Sequence, residues 1–307
     1  MSIKRNSTHS TVDDEIDLRE LFAALWQGKW IIIATTFMFA IAAVFYALSL
    51  SNIYKSEALL APVTEDSGMR IPGQLGGLAA LAGVNLGNGG SDKTTLAIEV
   101  LKSRDFIGRF IEEHDLFIPV MAATGWDRVQ DSLIINEDIY NVDAASWVRK
   151  TKAPFTAKPS SQETYAEFMK LFSVSQDTSN GMVRFSVEHY SPYLAKQWVD
   201  KLVTAINEEM RQRELSEAQR SINYLNEQIA QTNLADARTM LFSLIEEQTK
   251  TLMLANVRSE YVFKTVDPAV VAERKSKPMR ALIVVLAVII GGMLSVLLVL
   301  VRYFNRK

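Results

Sequence analysis

The chain has no cysteine, which excludes disulfides and thiolate metal sites. Only three histidines occur, His9, His114 and His189, and no ligand spacing relates them, so no metal centre is expected. No GxxxxGK[ST] run is present, so no Walker-type phosphate loop is expected. Charge of one sign is also missing. The 33 Lys+Arg nearly balance the 35 Asp+Glu, leaving a net charge of −2 and no field that would draw in nucleic acid. What the chain does have is apolar sequence packed into a few runs. Mean hydropathy is +0.05 although 22% of the residues are charged.

Two runs account for that excess. Trp30 to Leu50 (WIIIATTFMFAIAAVFYALSL) carries no charge and no proline. As a helix its 21 residues would span about 31 Å, the thickness of a bilayer's hydrocarbon core. Trp26 and Trp30 stand at its entrance and Tyr46 and Tyr54 near its exit, where amphipathic rings favour the interface. The second run, Ala281 to Val301, lies between Arg280 and Arg302. The acidic lead-in (Asp13, Asp14, Glu15, Asp17, Glu20) and the length of the first apolar core argue for an uncleaved anchor rather than a signal peptide. Two spans put both ends on one side. The basic residues of the tails (Lys4, Arg5, Arg19, Lys29, Arg302, Arg306, Lys307) modestly favour the cytoplasm for them, and long loops cross regardless of charge. The expected boundaries are a cytoplasmic tail 1–29, a span 30–50, a periplasmic domain 51–280, a span 281–301 and a tail 302–307.

Within the loop, Ile53 to Ala61 reads as a strand ending at Pro62. Eight of the 14 glycines fall between Gly68 and Gly90, which suggests a surface loop with an apolar middle. A helical pattern starts at Asp92 and runs through Leu96, Val100 and Leu101 to Phe106, Ile107, Phe110 and Ile111. Trp126 and Trp147 are expected to anchor the core. Gln162 to Phe172 reads as a short helix, Asn180-Gly181 as a turn, and Met182 to Tyr190 as a half-buried strand.

From Tyr193 to Asp267 there are 75 residues with neither glycine nor proline. Leu194, Trp198, Leu202, Ile206 and Met210 make an apolar stripe, and Leu215, Ala218, Ile222, Leu225 and Ile229 step by 3 and 4 like a coiled-coil seam. One helix of that length would reach about 110 Å, yet the chain must return to the second span. The seam loses phase at Thr232-Asn233, where the reversal is placed. A descending helix (Leu241, Leu244, Ile245, Leu252) and a closing strand from Tyr261 to Val266 follow. The expected fold is therefore α+β: two transmembrane helices flank an α/β base (51–192 and 259–280) that bears a long helical hairpin (193–258).

In order, DEIDLRELFAALWQGKW, YKSEALLAP, IEVLKSRDFIGRFIEEHDL, VEHYSPYLAKQWVDKLVTAINEEMR and YVFKTVDPAVVAERKSKPMRALIVVL resemble the polysaccharide co-polymerases, chain-length determinants of lipopolysaccharide O-antigen. The segment before the second span is usually richer in proline in that family; here it holds Pro268 and Pro278, with Glu273 and Lys275 where further prolines are expected. The resemblance implies side-by-side assembly into a homo-oligomeric ring in the inner membrane and work alongside an O-antigen polymerase, with a lipid-linked glycan as a candidate ligand. It implies no cofactor and no catalysis. A co-polymerase acting with a separate tyrosine kinase in capsule or exopolysaccharide export is the alternative. A two-span sensor and a periplasmic hydrolase are disfavoured: no signalling domain follows the second span, and Glu208-Glu209 and Glu246-Glu247 read as solvated helix faces. The candidate oligomer seam is Leu215, Ala218, Ile222, Leu225 and Ile229. Gly291, Gly292 and Ser295 are the candidate packing residues of the second span, small side chains that let membrane helices approach closely.

Overall fold

The protein, as a computed structural model, is described over residues 22, 25–63 and 89–305. The glycine-rich stretch, apart from Gly89 and Gly90, and most of the N-terminal tail lie outside these residues. The chain forms two compact units, residues 1–50 with 277–307, and residues 51–276.

The larger unit is built on a four-stranded antiparallel sheet. Its strands are β1 (Tyr54–Pro62), β6 (Phe172–Gln176), β7 (Val183–His189) and β8 (Phe263–Asp267), in the order β6-β7-β1-β8. β1 pairs with β7 from Tyr54↔His189 to Leu60↔Val183. Ser56, Ala58 and Leu60 point inward in alternation, while Glu57 points out and takes Arg184 at 2.7 Å and Lys55 at 2.9 Å. The period of two therefore selects the buried face.

Over that face lies α6 (Pro192–Gln231), 40 residues long and so about 60 Å. Ser191 starts it by accepting the Leu194 N–H, and Pro192 sits in the first turn, where its missing N–H costs nothing. The first half of the stripe is core: Trp198 is 1% exposed, and Leu202 and Ile206 are fully buried. Each such side chain contributes about 1.5–3 kcal/mol by leaving water. Phe168 and, in β6, Phe172 join this core, with Phe168 5.7 Å from Trp198 between ring centres.

The helical pattern expected from Asp92 through Ile111 is two helices, not one. α2 (Gly89–Lys102) starts three residues earlier than expected, and α3 (Arg104–Glu113) begins anew because the Ser103 hydroxyl accepts the Phe106 N–H. Leu96, expected on the buried face, is 52% exposed. A short α4 (Phe117–Met121) leads to two small ladders, β2 (Ala123–Asp127) with β3 (Ser132–Ile135), and β4 (Tyr140–Asn141) with β5 (Ser146–Trp147). Trp126 and Trp147 sit in these ladders half-buried and are not core anchors; each instead meets a tyrosine edge-on, Tyr54 and Tyr140 respectively.

Residues 148–160 contain no helix or strand, and one arginine holds them. Arg149 grips Glu163 at 2.8 and 2.9 Å and donates to the carbonyls of Ala157 and Thr156. Glu163 in turn closes a capping box with Ser160 at the start of α5 (Ser161–Leu171). The two-pronged hydrogen bond from Arg149 holds the Glu163 carboxyl down at about 2.

His189, the last residue of β7, is 2% exposed. Its Nδ1 accepts the Ser191 N–H at 3.1 Å, which leaves Nε2 to donate to the Pro119 carbonyl at 3.2 Å. Burial disfavours the imidazolium and pushes its pKa below the ordinary 6.5. Above that value the ring is neutral folded and unfolded alike. Below it the unfolded chain takes up a proton that the folded ring resists, so stability falls with pH until the folded pKa is reached. Thermal unfolding in detergent should therefore show a midpoint that drops as pH falls below about 6.5. His189→Gln should flatten that slope, and an equal slope in the variant would assign it to other groups.

Candidate functional site

The smaller unit is a pair of apolar helices, α1 (Lys29–Ser49) and α8 (Arg280–Phe304), of mean hydropathy 2.4 and 3.1. Only 11% and 17% of them is buried, whereas a soluble core helix would be covered all round. They run antiparallel: Gly28 meets Val299, Phe39 meets Gly291, and Arg280 reaches Ala47. The contact stripe on α8 is Gly291, Ser295 and Val299, four residues apart. A Cβ on Gly291 would lie 2.8 Å from the Phe39 Cβ and 2.9 Å from its Cγ, while one on Gly292 would meet nothing within 4 Å. The adjacent glycines thus face different surroundings. Ser295 returns its hydroxyl to the Gly292 carbonyl at 2.7 Å and lies 3.5 Å from the Thr36 hydroxyl. At the other end Arg280 donates to the carbonyls of Ala47 and Leu50 at 2.9 and 3.2 Å. A cation there satisfies the last carbonyls of α1 and opposes the negative end of its dipole.

The upper half of α6 turns at Thr232–Leu234 into α7 (Ala235–Val257), 23 residues and about 35 Å long. α7 packs back along α6. Ala218 is 2% exposed, and Leu215, Ile222, Leu225 and Ile229 are half-buried, so this seam lies on the covered side of the hairpin. Leu241, Ile245 and Leu252 of α7 are half-buried, but Leu244 is exposed. Most of the open apolar side chains of the hairpin are on α7, among them Met240, Phe242, Met253 and Val257.

Where the hairpin rejoins the sheet, one polar side chain organises the backbone. Asn207 of α6 is 4% exposed. Its Oδ1 accepts the N–H groups of Tyr261, Val262 and Phe263 at 3.0, 2.8 and 2.9 Å, and its Nδ2 donates to the Phe263 carbonyl at 3.0 Å. Sequence reasoning passed over Asn207, although a lone amide beside Ile206 and Met210 on a buried stripe is a usable signal. Beyond β8 the chain runs beside β1: Ser56 donates to the Val270 carbonyl at 2.7 Å, and the Ser276 N–H to that of Ile53 at 2.8 Å. Pro268 is exposed at the start of this segment and Pro278 is half-buried after its end.

The acidic pairs are engaged with neighbouring cations or left on open faces. Glu208 takes Arg211 and Gln212, which lower its pKa, with Gln212 the larger cause. Glu209 takes Arg109 and Arg213, and Glu246 and Glu247 are exposed. Among the described residues no three acidic or histidine side chains group as a metal site.

Residues 14–114 match the family model of the chain length determinant protein (Wzz), and residues 236–304 match a model described as a G-rich domain on putative tyrosine kinase. The chain is similar to the tyrosine-protein kinase wzc of Salmonella typhi, 27% identical over 131 residues, which is 41% of this chain and 17% of that one. It is also similar to the tyrosine-protein kinase etk of Escherichia coli K12, 31% identical over 127 residues, 39% of this chain and 16% of that one. The matched stretch is thus about a sixth of the length of these curated relatives. Among solved structures, a full-length bacterial polysaccharide co-polymerase aligns with 94% of this chain and 98% of its own, at 16% identity and a TM-score of 0.39. A fragment of the Salmonella Typhimurium co-polymerase WzzB aligns with 74% of this chain and 100% of its own, at 14% identity and a TM-score of 0.29.

The cysteine-free background offers a clean probe of the helix pair. Thr36→Cys with Ser295→Cys should cross-link within one chain on oxidation, because the two hydroxyls are 3.5 Å apart. Adding Gly291→Leu should slow that cross-link several-fold by driving a side chain into Phe39, whereas Gly292→Leu should leave its rate unchanged. Equal rates in both, followed by mass spectrometry, would contradict the packing described.

Proposed function

We propose that this chain, whose residues 14–114 match the chain length determinant family, is a polysaccharide co-polymerase, a two-span protein of the inner membrane with its main domain in the periplasm, and that it sets the modal length of lipopolysaccharide O-antigen. In this reading it does so without catalysis, as a homo-oligomeric scaffold beside the O-antigen polymerase. The observation that carries the reading is the match of residues 14–114 to the chain-length family. A periplasmic unit made of a rigid sheet and a long hairpin, with its acidic pairs bound up or solvated, suits a scaffold better than a catalyst.

Contacts between copies are assigned to the hairpin. The half-open edges of Leu215, Ile222, Leu225 and Ile229, together with the outer apolar side chains of α7, form a surface that copies arranged around a ring would cover. The expected domain boundaries fit the same scheme, with tails in the cytoplasm and residues 51–280 outside it.

The likeness to wzc and etk, and the match of residues 236–304 to a domain of putative tyrosine kinases, favour a second reading. In that reading the chain serves capsule or exopolysaccharide export with a separate kinase. Deleting the gene separates the two. Loss of the modal cluster in the lipopolysaccharide ladder, restored by the plasmid-borne gene, is the outcome expected of an O-antigen regulator. An unaltered ladder with altered capsule size would favour the second reading instead.

A further inference from the structure

Four separate stretches of the larger unit converge on a cleft of about 720 Å³. Tyr54 comes from the start of β1, Trp126 and Arg128 from β2 and the turn after it, Tyr193 from the first turn of α6, and Glu273 and Arg274 from the segment after β8. The volume is that of a small-ligand site. The aromatic part is a fixed array. The Trp126 ring lies 5.8 Å from Tyr54 and 6.0 Å from Tyr193, centre to centre, and its Nε1 donates to Asp131 at 2.9 Å. That hydrogen bond orients the indole, while Tyr193 is left 51% exposed.

The charged part is cationic and open. Arg128 and Arg274 are both exposed, and among the described residues neither takes part in an ion pair. Glu273 is the one carboxylate lining the cleft. The first turn of α6 adds the positive end of a 40-residue helix. Guanidinium groups pair with phosphate oxygens two at a time, and flat aromatic rings offer apolar platforms to the C–H faces of sugars. Core packing does not account for this grouping: the arginines are exposed, and the largest core rings lie elsewhere, at Phe168, Phe185 and Trp198. In sequence, Tyr54 is five residues past the end of α1 and Arg274 six residues before the start of α8.

We propose that this cleft binds a glycosyl phosphate or diphosphate, the sugar on Tyr193 and Trp126 and the phosphate on Arg128 and Arg274. This rests on the chain-length reading and gives it a ligand: the phosphate-linked end of a membrane-borne glycan.

The test uses the full chain in phosphatidylcholine nanodiscs, titrated with N-acetylglucosamine 1-phosphate, N-acetylglucosamine and inorganic phosphate by calorimetry. The sugar phosphate should bind more tightly than either part alone. Arg128→Gln with Arg274→Gln should weaken it about tenfold or more, and Tyr193→Ala should weaken the sugar phosphate but not inorganic phosphate. Matching melting curves will show that these exposed-site variants stay folded. Equal binding of inorganic phosphate and sugar phosphate, competition by added phosphatidylglycerol, no binding at all, or unchanged binding in the double variant would each overturn the proposal. An unaltered ladder on deleting the gene sinks the chain-length reading itself, whereas unchanged binding in the double variant sinks only the cleft.

Discussion

The carboxamide of Asn207 holds four backbone groups of another segment at once, and the larger unit depends on it. A 40-residue helix whose outer half leaves the sheet must have its return chain placed accurately, or β8 cannot find its register on β1. Asn207 fixes that placement. β8 is an edge strand, and Pro62, opposite Phe263 in the register, has no N–H to offer. The amide supplies the missing partners: its oxygen takes three successive N–H groups, and its nitrogen serves the Phe263 carbonyl. Reversing the amide would set its N–H₂ against three donors, so the orientation is chemically forced. A buried polar group with every partner met specifies one arrangement, whereas an apolar side chain there would leave three N–H groups dry.

From this point outward the structure is a hairpin and inward it is a sheet. Ring contacts run from Trp198 through Phe168, Phe172 and Phe185 to Phe263, so the return strand is tied into the same core that the base of α6 covers. The membrane unit has its own small-residue logic: Gly291 admits Phe39, and Arg280 closes the carbonyl end of α1. Both keep long helices in register, as the proposed length-setting scaffold requires.

Much of this was legible in the residues. The apolar runs at 30–50 and 281–301, the alternation in β1 and β7, and the 75-residue stretch without glycine or proline announced their elements, because each is a periodic pattern with one dominant cause. The reversal at Thr232-Asn233 followed from loss of phase. What escaped depends on side chains meeting across the chain. Asn207 matters for what lies opposite it, 54 to 56 residues on. Trp126 was read as core because tryptophan usually buries, yet it forms one wall of an open cleft. The break at Ser103 is a serine cap, hidden in the sequence by the apolar spacing that continues on either side of it. Gly291 and Gly292 look equivalent in sequence, and only the partner helix separates them.

Hydrogen exchange of the Tyr261, Val262 and Phe263 amides in the full-length protein tests the central claim most directly. If Asn207 is the clamp, these three amides exchange as slowly as those of β7, and Asn207→Ala speeds all three together by at least about a hundredfold, equivalent to the loss of roughly 3 kcal/mol of local stability. Fast exchange in the unaltered protein, or protection that survives Asn207→Ala, would contradict the account.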